Sequence, residues 1–145
     1  MTREKAHPGT IRCPVASTLG IVGDRWTLLI VRELLKGKTR YSEFRQSVEG
    51  ITTTMLSERL KLLEAEDIVT RHFYSQHPPR AEYLLTAKGH GLGVVVGAMA
   101  AWGEQYADHD LALIDKECGH GVSVVYHCDT CGREAPRSRI RIVEV

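Results

Sequence analysis

The chain has 145 residues, with 19 Lys and Arg against 18 Asp and Glu and a hydrophobic fraction of 43%, which suits one compact domain with a small appendage. It holds no run of about 18 apolar residues, which excludes a membrane-spanning helix, and its opening MTREKAHPGTIRC lacks the apolar stretch of a signal peptide. The net charge of +1 names no partner, but residues 1–80 are net basic and residues 81–117 net acidic, a pattern that suits docking one face on phosphate.

In chain order, CPVASTLGIV predicts a short apolar helix opened by Pro14, whose missing N–H costs nothing in a first turn, and broken by Gly23. Asp24 caps a second helix, RWTLLIVRELLKG, with Trp26, Leu29, Ile30 and Leu34 inward and Gly37 as its terminator. RYSEFRQSVEG is a third, with Ser42 near its start and Phe44 and Val48 inward. The short turn Glu49–Gly50–Ile51 leads into a fourth over residues 53–64. On a helical wheel Met55, Leu56, Leu60, Leu62 and Leu63 share one arc, with Arg59 the only charge among them. Thr53, Thr54, Ser57, Glu58 and Lys61 fill the opposite arc. Thr52 or Thr53 is the N-cap, because a side-chain oxygen there can accept from a free backbone N–H. Capping does not require three consecutive threonines, which are mediocre helix formers. Short hydroxyls at a helix N-terminus do have another use: they reach bases or phosphates without blocking the major groove.

After Asp67, IVTRHFY and AEYLLT alternate and are rich in β-formers, with SQHPPR as the turn between them, so a hairpin is expected. Thr86 caps a long helix, AKGHGLGVVVGAMAAWGEQYADH. Helices, then a hairpin, then a further helix is the order of a winged helix-turn-helix, in which the third and fourth helices are the helix-turn-helix and the hairpin is the wing. The expected fold class is α+β and mainly helical, with a two-stranded wing and a small C-terminal β appendage. Two prolines stiffen the expected wing tip between His77 and Arg80, a cation suited to phosphate or an adjacent minor groove. Arg40, Ser42 and Arg45 in the third helix are further candidate phosphate contacts, since helix N-termini and short polar groups favour anions.

The sequence resembles the HxlR-type regulators of bacteria, relatives of the MarR group. The resemblance is carried by CPVASTLGIVGDRWTLLIVREL, RYSEFR, GITTTMLSERLKLLE, the wing HPPRAEYLLTAKG and the late AAWGEQY, and spans about residues 11 to 107. It implies a homodimeric transcription factor on double-stranded DNA, with the first and last helices making the dimer and residues 1–112 forming the DNA-binding and dimerisation domain. Thr52, Thr53, Thr54 and Ser57 would then face DNA, with Lys61 and Arg59 nearer the backbone. Arg59 lies on the apolar arc, so the alternative for it is to snorkel across the preceding helix.

Four cysteines, at 13, 118, 128 and 131, fit a reduced, cytoplasmic protein better than a disulfide-framed secreted one. Cys13 precedes Pro14 at a helix N-terminus, beside Arg12, where partial positive charge favours thiolate. The resemblance adds that family members sensing oxidants or electrophiles use a cysteine here. The alternative is a small buried hydrophobe. Residues 113–145 form the β-rich appendage, in which ECGHGVSVVYHCDTCG resembles half of a zinc ribbon. Cys118, His120, Cys128 and Cys131 are the candidate ligands, with His127 as substitute, flanked by strands at 122–127 and 138–145. No cofactor is required, and zinc is the candidate metal. No catalytic motif is present: neither H-E-x-x-H, nor G-x-S-x-G, nor a phosphate loop. The competing reading is a zinc-ribbon interaction module whose helical part binds protein rather than DNA.

Overall fold

The computed structural model describes residues 13–143, which fall into two compact units divided between Val96 and Gly97.

The first unit carries α1 (Pro14–Val22), α2 (Thr27–Leu35), α3 (Tyr41–Ser47), α4 (Thr53–Ala65), the antiparallel pair β1 (Val69–Gln76) and β2 (Pro79–Leu85), and the start of α5 (Ala87–Tyr106). Local chemistry sets most of these bounds. Pro14 opens α1. Asp24 accepts from the backbone N–H of Trp26 and Thr27 at 2.8 and 3.1 Å, so it caps α2 from just outside it. α2 ends with Gly37 at φ +92, where Gly37 N donates to Leu34 O and Lys38 N to Glu33 O. These are the paired bonds of a left-handed helix stop. Asp67, at φ +56, repeats the device after α4, with Asp67 N bonded to Glu64 O and Ile68 N to Leu63 O. Thr86 caps α5 by accepting from Gly89 N at 3.0 Å, and its hydroxyl donates to Asp67 O.

The core is one cluster. Ile30, Val31 and Leu34 of α2, Phe44 of α3, Val48 and Ile51 of the turn that follows it, Leu56, Leu60 and Leu63 of α4, and Ile68 and Val69 leading into β1 are all buried. Each such side chain contributes about 1.5–3 kcal/mol relative to exposure. The periodic apolar positions of the second, third and fourth helices therefore point as their spacing requires. Gly89 lets α5 approach this core closely, because a Cβ there would stand 2.1 Å from the Ile68 carbonyl oxygen.

The wing differs from expectation at its tip. Pairing continues through Gln76↔Pro79, so the turn shrinks to residues 77 and 78. Arg80 is consequently a ladder residue opposite Ser75 and not a tip residue. Pro79 is tolerated because it sits at the first position of β2, where its lost N–H is not needed for the ladder. The register shifts between Phe73 and Ser75, a bulge that leaves Tyr74 without a partner opposite.

The second unit contains the distal half of α5, a loop, β3 (Tyr126–Cys128) paired antiparallel with β4 (Arg133–Ala135), and a 3-10 turn at Arg137–Arg139. This unit begins within α5, and the loop after that helix is tied back to it. Leu113 N donates to Glu104, and the Leu113 side chain lies 4.0 Å from where a Cβ on Gly97 would be. The expected appendage strands are corrected. Pairing starts at Tyr126 rather than 122, and the second strand is 133–135 rather than 138–145. Cys128 pairs with Arg133 around the C-x-x-C-G turn, and Pro136, which has no N–H, ends β4. Residues 144 and 145 of the expected strand lie outside the described residues.

Candidate nucleic-acid interface

At the start of α4 the threonines divide their work. Thr52 is the N-cap, its side-chain oxygen accepting from Met55 N at 3.1 Å. Thr53 and Thr54 stand exposed beside it. Ser57, one turn on, is half-buried and bonds the Tyr41 hydroxyl at 3.1 Å, while that hydroxyl also lies 2.9 Å from the Thr53 carbonyl. The tyrosine has one proton and a carbonyl can only accept. Tyr41 therefore donates to Thr53, and Ser57 donates to Tyr41. Lys61 is exposed further along the same helix.

The segment before α3 is fixed to β2, with Tyr83 N donating to Thr39 O at 2.7 Å and Arg40 bridging Glu82. Glu43 holds the same turn from the other side, its carboxylate accepting from Thr39 N and Arg40 N at 2.9 and 2.8 Å. Held there, the Arg40 guanidinium sits 5.3 Å from the ring centre of the bulged Tyr74, a cation–π stack. Between α3 and the wing runs a groove of about 660 Å³, whose lining includes Arg40, Tyr41, Ser42, Arg71, Tyr74 and Arg80. Arg71 stacks 5.1 Å from the Phe73 ring centre and lies 3.5 Å from a Glu64 oxygen. The groove thus combines three guanidinium groups with aromatic faces and hydroxyls, the chemistry that grips a phosphate backbone.

Tyr41, Arg71 and Tyr74 are site residues that sequence reasoning missed. The alternation of Arg71 and Phe73 in IVTRHFY signals a shared strand face, but Tyr74 joins the groove only through the bulge. His77 is exposed in the wing turn, and Arg80 is exposed on β2.

Two of the expected DNA contacts have other partners. Arg59 Nε lies 3.5 Å from Asp24 Oδ1, with its side chain largely covered. The guanidinium of Arg59 therefore forms an ion pair with the carboxylate that caps α2. Burial resists ionisation of Asp24, but hydrogen bonds from Thr27 and Trp26 and the Arg59 charge outweigh it and hold its carboxyl below the ordinary value. Arg45 is exposed but donates to the Ile51 carbonyl, which ties α3 to the turn before α4.

Cys13 is the N-cap of α1 and is exposed, with Ser17 N donating to its carbonyl at 3.0 Å. In the single chain, therefore, the Cys13 side chain is not buried among the described residues. Its neighbour Arg12, invoked for its charge, lies outside the described residues.

In the second unit Cys128 and Cys131 come together, Sγ to Sγ at 3.1 Å, with Gly132 N donating to Cys128 O and Gly132 at φ +64. Backbone N–H groups of Cys131 and Thr130 and the Cys131 thiol lower the Cys128 thiol from its ordinary value. The four-ligand zinc set is not assembled: among the described residues no three His, Cys, Asp or Glu side chains converge as a metal site. Cys118 belongs to a separate turn, in which Asp115 accepts from Glu117 N and Cys118 N and Ile114 bridges Gly121. That turn holds His120 as well, away from the 128/131 pair. His127, the substitute ligand, instead lies 3.5 Å from Asp129.

Among known proteins, the family described as HxlR-like helix-turn-helix matches residues 21–111. The uncharacterized HTH-type transcriptional regulator YdeP of Bacillus subtilis (strain 168) is 42% identical over 96 residues, covering 66% of this chain and 75% of YdeP. The crystal structure of PA1607, proposed to be a transcription factor, superposes with a TM-score of 0.77 at 29% identity, over 91% of this chain and 94% of that one. The redox regulator HypR in its oxidized form gives 0.61 at 41% identity, over 67% of this chain and all of HypR. The α+β winged architecture matches these structures, and the relatives are transcriptional regulators rather than enzymes. The chain belongs to the HxlR-like helix-turn-helix family of transcriptional regulators.

Proposed function

We propose that the protein binds duplex operator DNA as a homodimer, with α4 entering the major groove and the wing flanking the adjacent backbone. The observation that carries this reading is Tyr41, which lines the arginine groove and also bonds Thr53 and Ser57. It makes the hydroxyl-bearing turn of α4 and the cationic groove one continuous surface. Thr53, Thr54 and Ser57 read base edges or phosphates there, Arg40, Ser42, Arg71 and Arg80 hold backbone, and Lys61 and His77 add contacts further out. Apolar side chains exposed on α1 (Val15, Leu19) and on α5 (Val94, Met99, Trp102, Tyr106) support dimerisation through those helices. Two copies then present α4 to half-sites about one helical turn apart. No helix among the described residues is long and apolar enough to cross a membrane, in keeping with action on DNA in the cytoplasm.

Salt dependence of duplex binding tests the reading, because neutralising phosphates releases counterions. Affinity falls steeply as salt rises, and Arg80→Ala makes the log–log slope shallower by about one while weakening all sequences alike. Binding that ignores salt would instead mark a protein-interaction module. A change of sequence preference at constant slope would move Arg80 to base or groove readout.

The exposed Cys13 at the N-terminus of α1 supports a second element of the proposal, release of DNA on modification of that thiol by oxidants or electrophiles. The redox regulator HypR, a structural neighbour, supports it too. Diamide or a quinone dissociates the wild-type complex, Cys13→Ser stays bound, and mass spectrometry finds the adduct on residue 13. An unmodified Cys13 in a dissociated complex removes the sensor from this position.

A further inference from the structure

The second unit holds a pair of thiols that DNA binding leaves unused. Cys128 ends β3 and Cys131 lies in the turn before β4, with their sulfurs 3.1 Å apart. A disulfide needs about 2.05 Å, so closure requires the sulfurs to approach by only about 1 Å. The turn is already fixed on both sides, by the Cys128↔Arg133 pair and by the Gly132 N–Cys128 O bond at 2.8 Å. Gly132 at φ +64 supplies the left-handed residue that the turn needs. Cys131 is exposed and Cys128 half-buried, so a small reagent can reach the pair. Cys118 is held in its own turn and does not join them.

We propose that Cys128 and Cys131 form a dithiol–disulfide exchange site for low-molecular-weight disulfides of the glutathione class, separate from Cys13. Backbone N–H groups of Cys131 and Thr130 bond the Cys128 sulfur beside this contact, which makes Cys128 the attacking atom and Cys131 the resolving one. The Cys128 thiolate attacks one sulfur of the small disulfide, forming a mixed disulfide and expelling one thiolate. Cys131 then loses its proton and attacks the Cys128 sulfur, expelling the second thiolate and closing the ring. The two protein thiols are oxidised, the small disulfide is reduced to two thiols, and no other oxidant enters. The site goes beyond the DNA-binding proposal and does not rest on it.

The test treats the full-length, reduced chain with oxidised glutathione and digests it with trypsin and chymotrypsin. Trypsin alone leaves all three C-terminal cysteines in one peptide, 117–133; cleavage after Tyr126 separates Cys118 from the pair. Expected is a 127–133 peptide lighter by two hydrogens and free of glutathione, formed before Cys118 reacts. Cys131→Ser should accumulate a stable glutathione adduct on residue 128, because nothing resolves it. The proposal is overturned if the wild-type pair retains glutathione, if either cysteine links instead to Cys118 or to a second chain, or if the pair resists oxidation because stoichiometric zinc occupies it.

Discussion

Thr53→Glu should abolish operator binding, raising the Kd at least about 100-fold, while leaving the melting temperature unchanged or slightly higher. Thr53 is exposed in the first turn of α4, and its hydroxyl caps nothing, since that task falls to Thr52. A carboxylate at a helix N-terminus interacts favourably with the aligned peptide dipoles, by about 0.3–1 kcal/mol, so the fold does not suffer. The same carboxylate would face phosphates and base edges at the surface where the groove arginines meet DNA. A 100-fold loss is about 2.7 kcal/mol, within the cost of placing like charges together in a desolvated interface. The measurement is fluorescence anisotropy on a duplex selected from a random pool by the wild-type chain, paired with a thermal melt. Thr53→Ser keeps a short hydroxyl and should bind. If Thr53→Glu binds the same duplex with near wild-type affinity, α4 does not enter the groove at this end.

Glu33→Gln should destabilise the fold in a pH-dependent way. Glu33 on α2 is fully buried, and its carboxylate meets Arg32 Nε at 2.9 Å, Lys36 Nζ at 3.2 Å, and Lys38. Burial by itself would raise its pKa, but hydrogen bonds from Lys38, Lys36 and Arg32 prevail and lower it from 4.5 to about 2. That displacement corresponds to about 3 kcal/mol in favour of the charged native form. The three cations reach solvent, and screening trims the figure to about 2 kcal/mol. Because the native pKa lies below the unfolded one, the contribution is complete above about 4.5 and disappears as pH falls through about 2. Glu33→Gln should therefore lower the melting temperature at neutral pH by roughly 5 °C or more. It should also flatten the acid limb of the stability curve between those two values. Equal losses at pH 7 and pH 2 would show that the carboxylate charge is not what stabilises this site.

The elements that were legible in the sequence rest on interactions that close within one helical turn. Pro14 opening α1, Gly37 stopping α2, Thr52 capping α4 and Thr86 capping α5 each satisfy backbone groups a few residues away. The inward faces of α2, α3 and α4 follow from the 3.6-residue period. Those features, with the order of helices, hairpin and helix, are enough to expect the winged architecture and to place the hydroxyl cluster at the start of α4. Register, bulges and partners far apart in the chain were not legible, because they depend on which surfaces meet after folding. Arg59 reads as a cation on a helix that approaches DNA, yet Asp24, 35 positions earlier, claims it. Tyr74 enters the groove only because β1 bulges against β2, and Arg80 leaves the wing tip only because pairing runs on to Pro79. The C-terminal cysteines and histidines have metal-like spacing, but spacing constrains only neighbours within one turn. It brought Cys128 and Cys131 together, while the separate turn at Asp115 kept Cys118 and His120 apart from them. Sequence alone determined where the five helices form and which side of α2, α3 and α4 faces inward, since backbone geometry imposes both locally. Tertiary structure alone decided which charges face solvent, that Cys118 stays apart from the other two C-terminal thiols, and which aromatics line the groove, since each is set by contacts between distant segments.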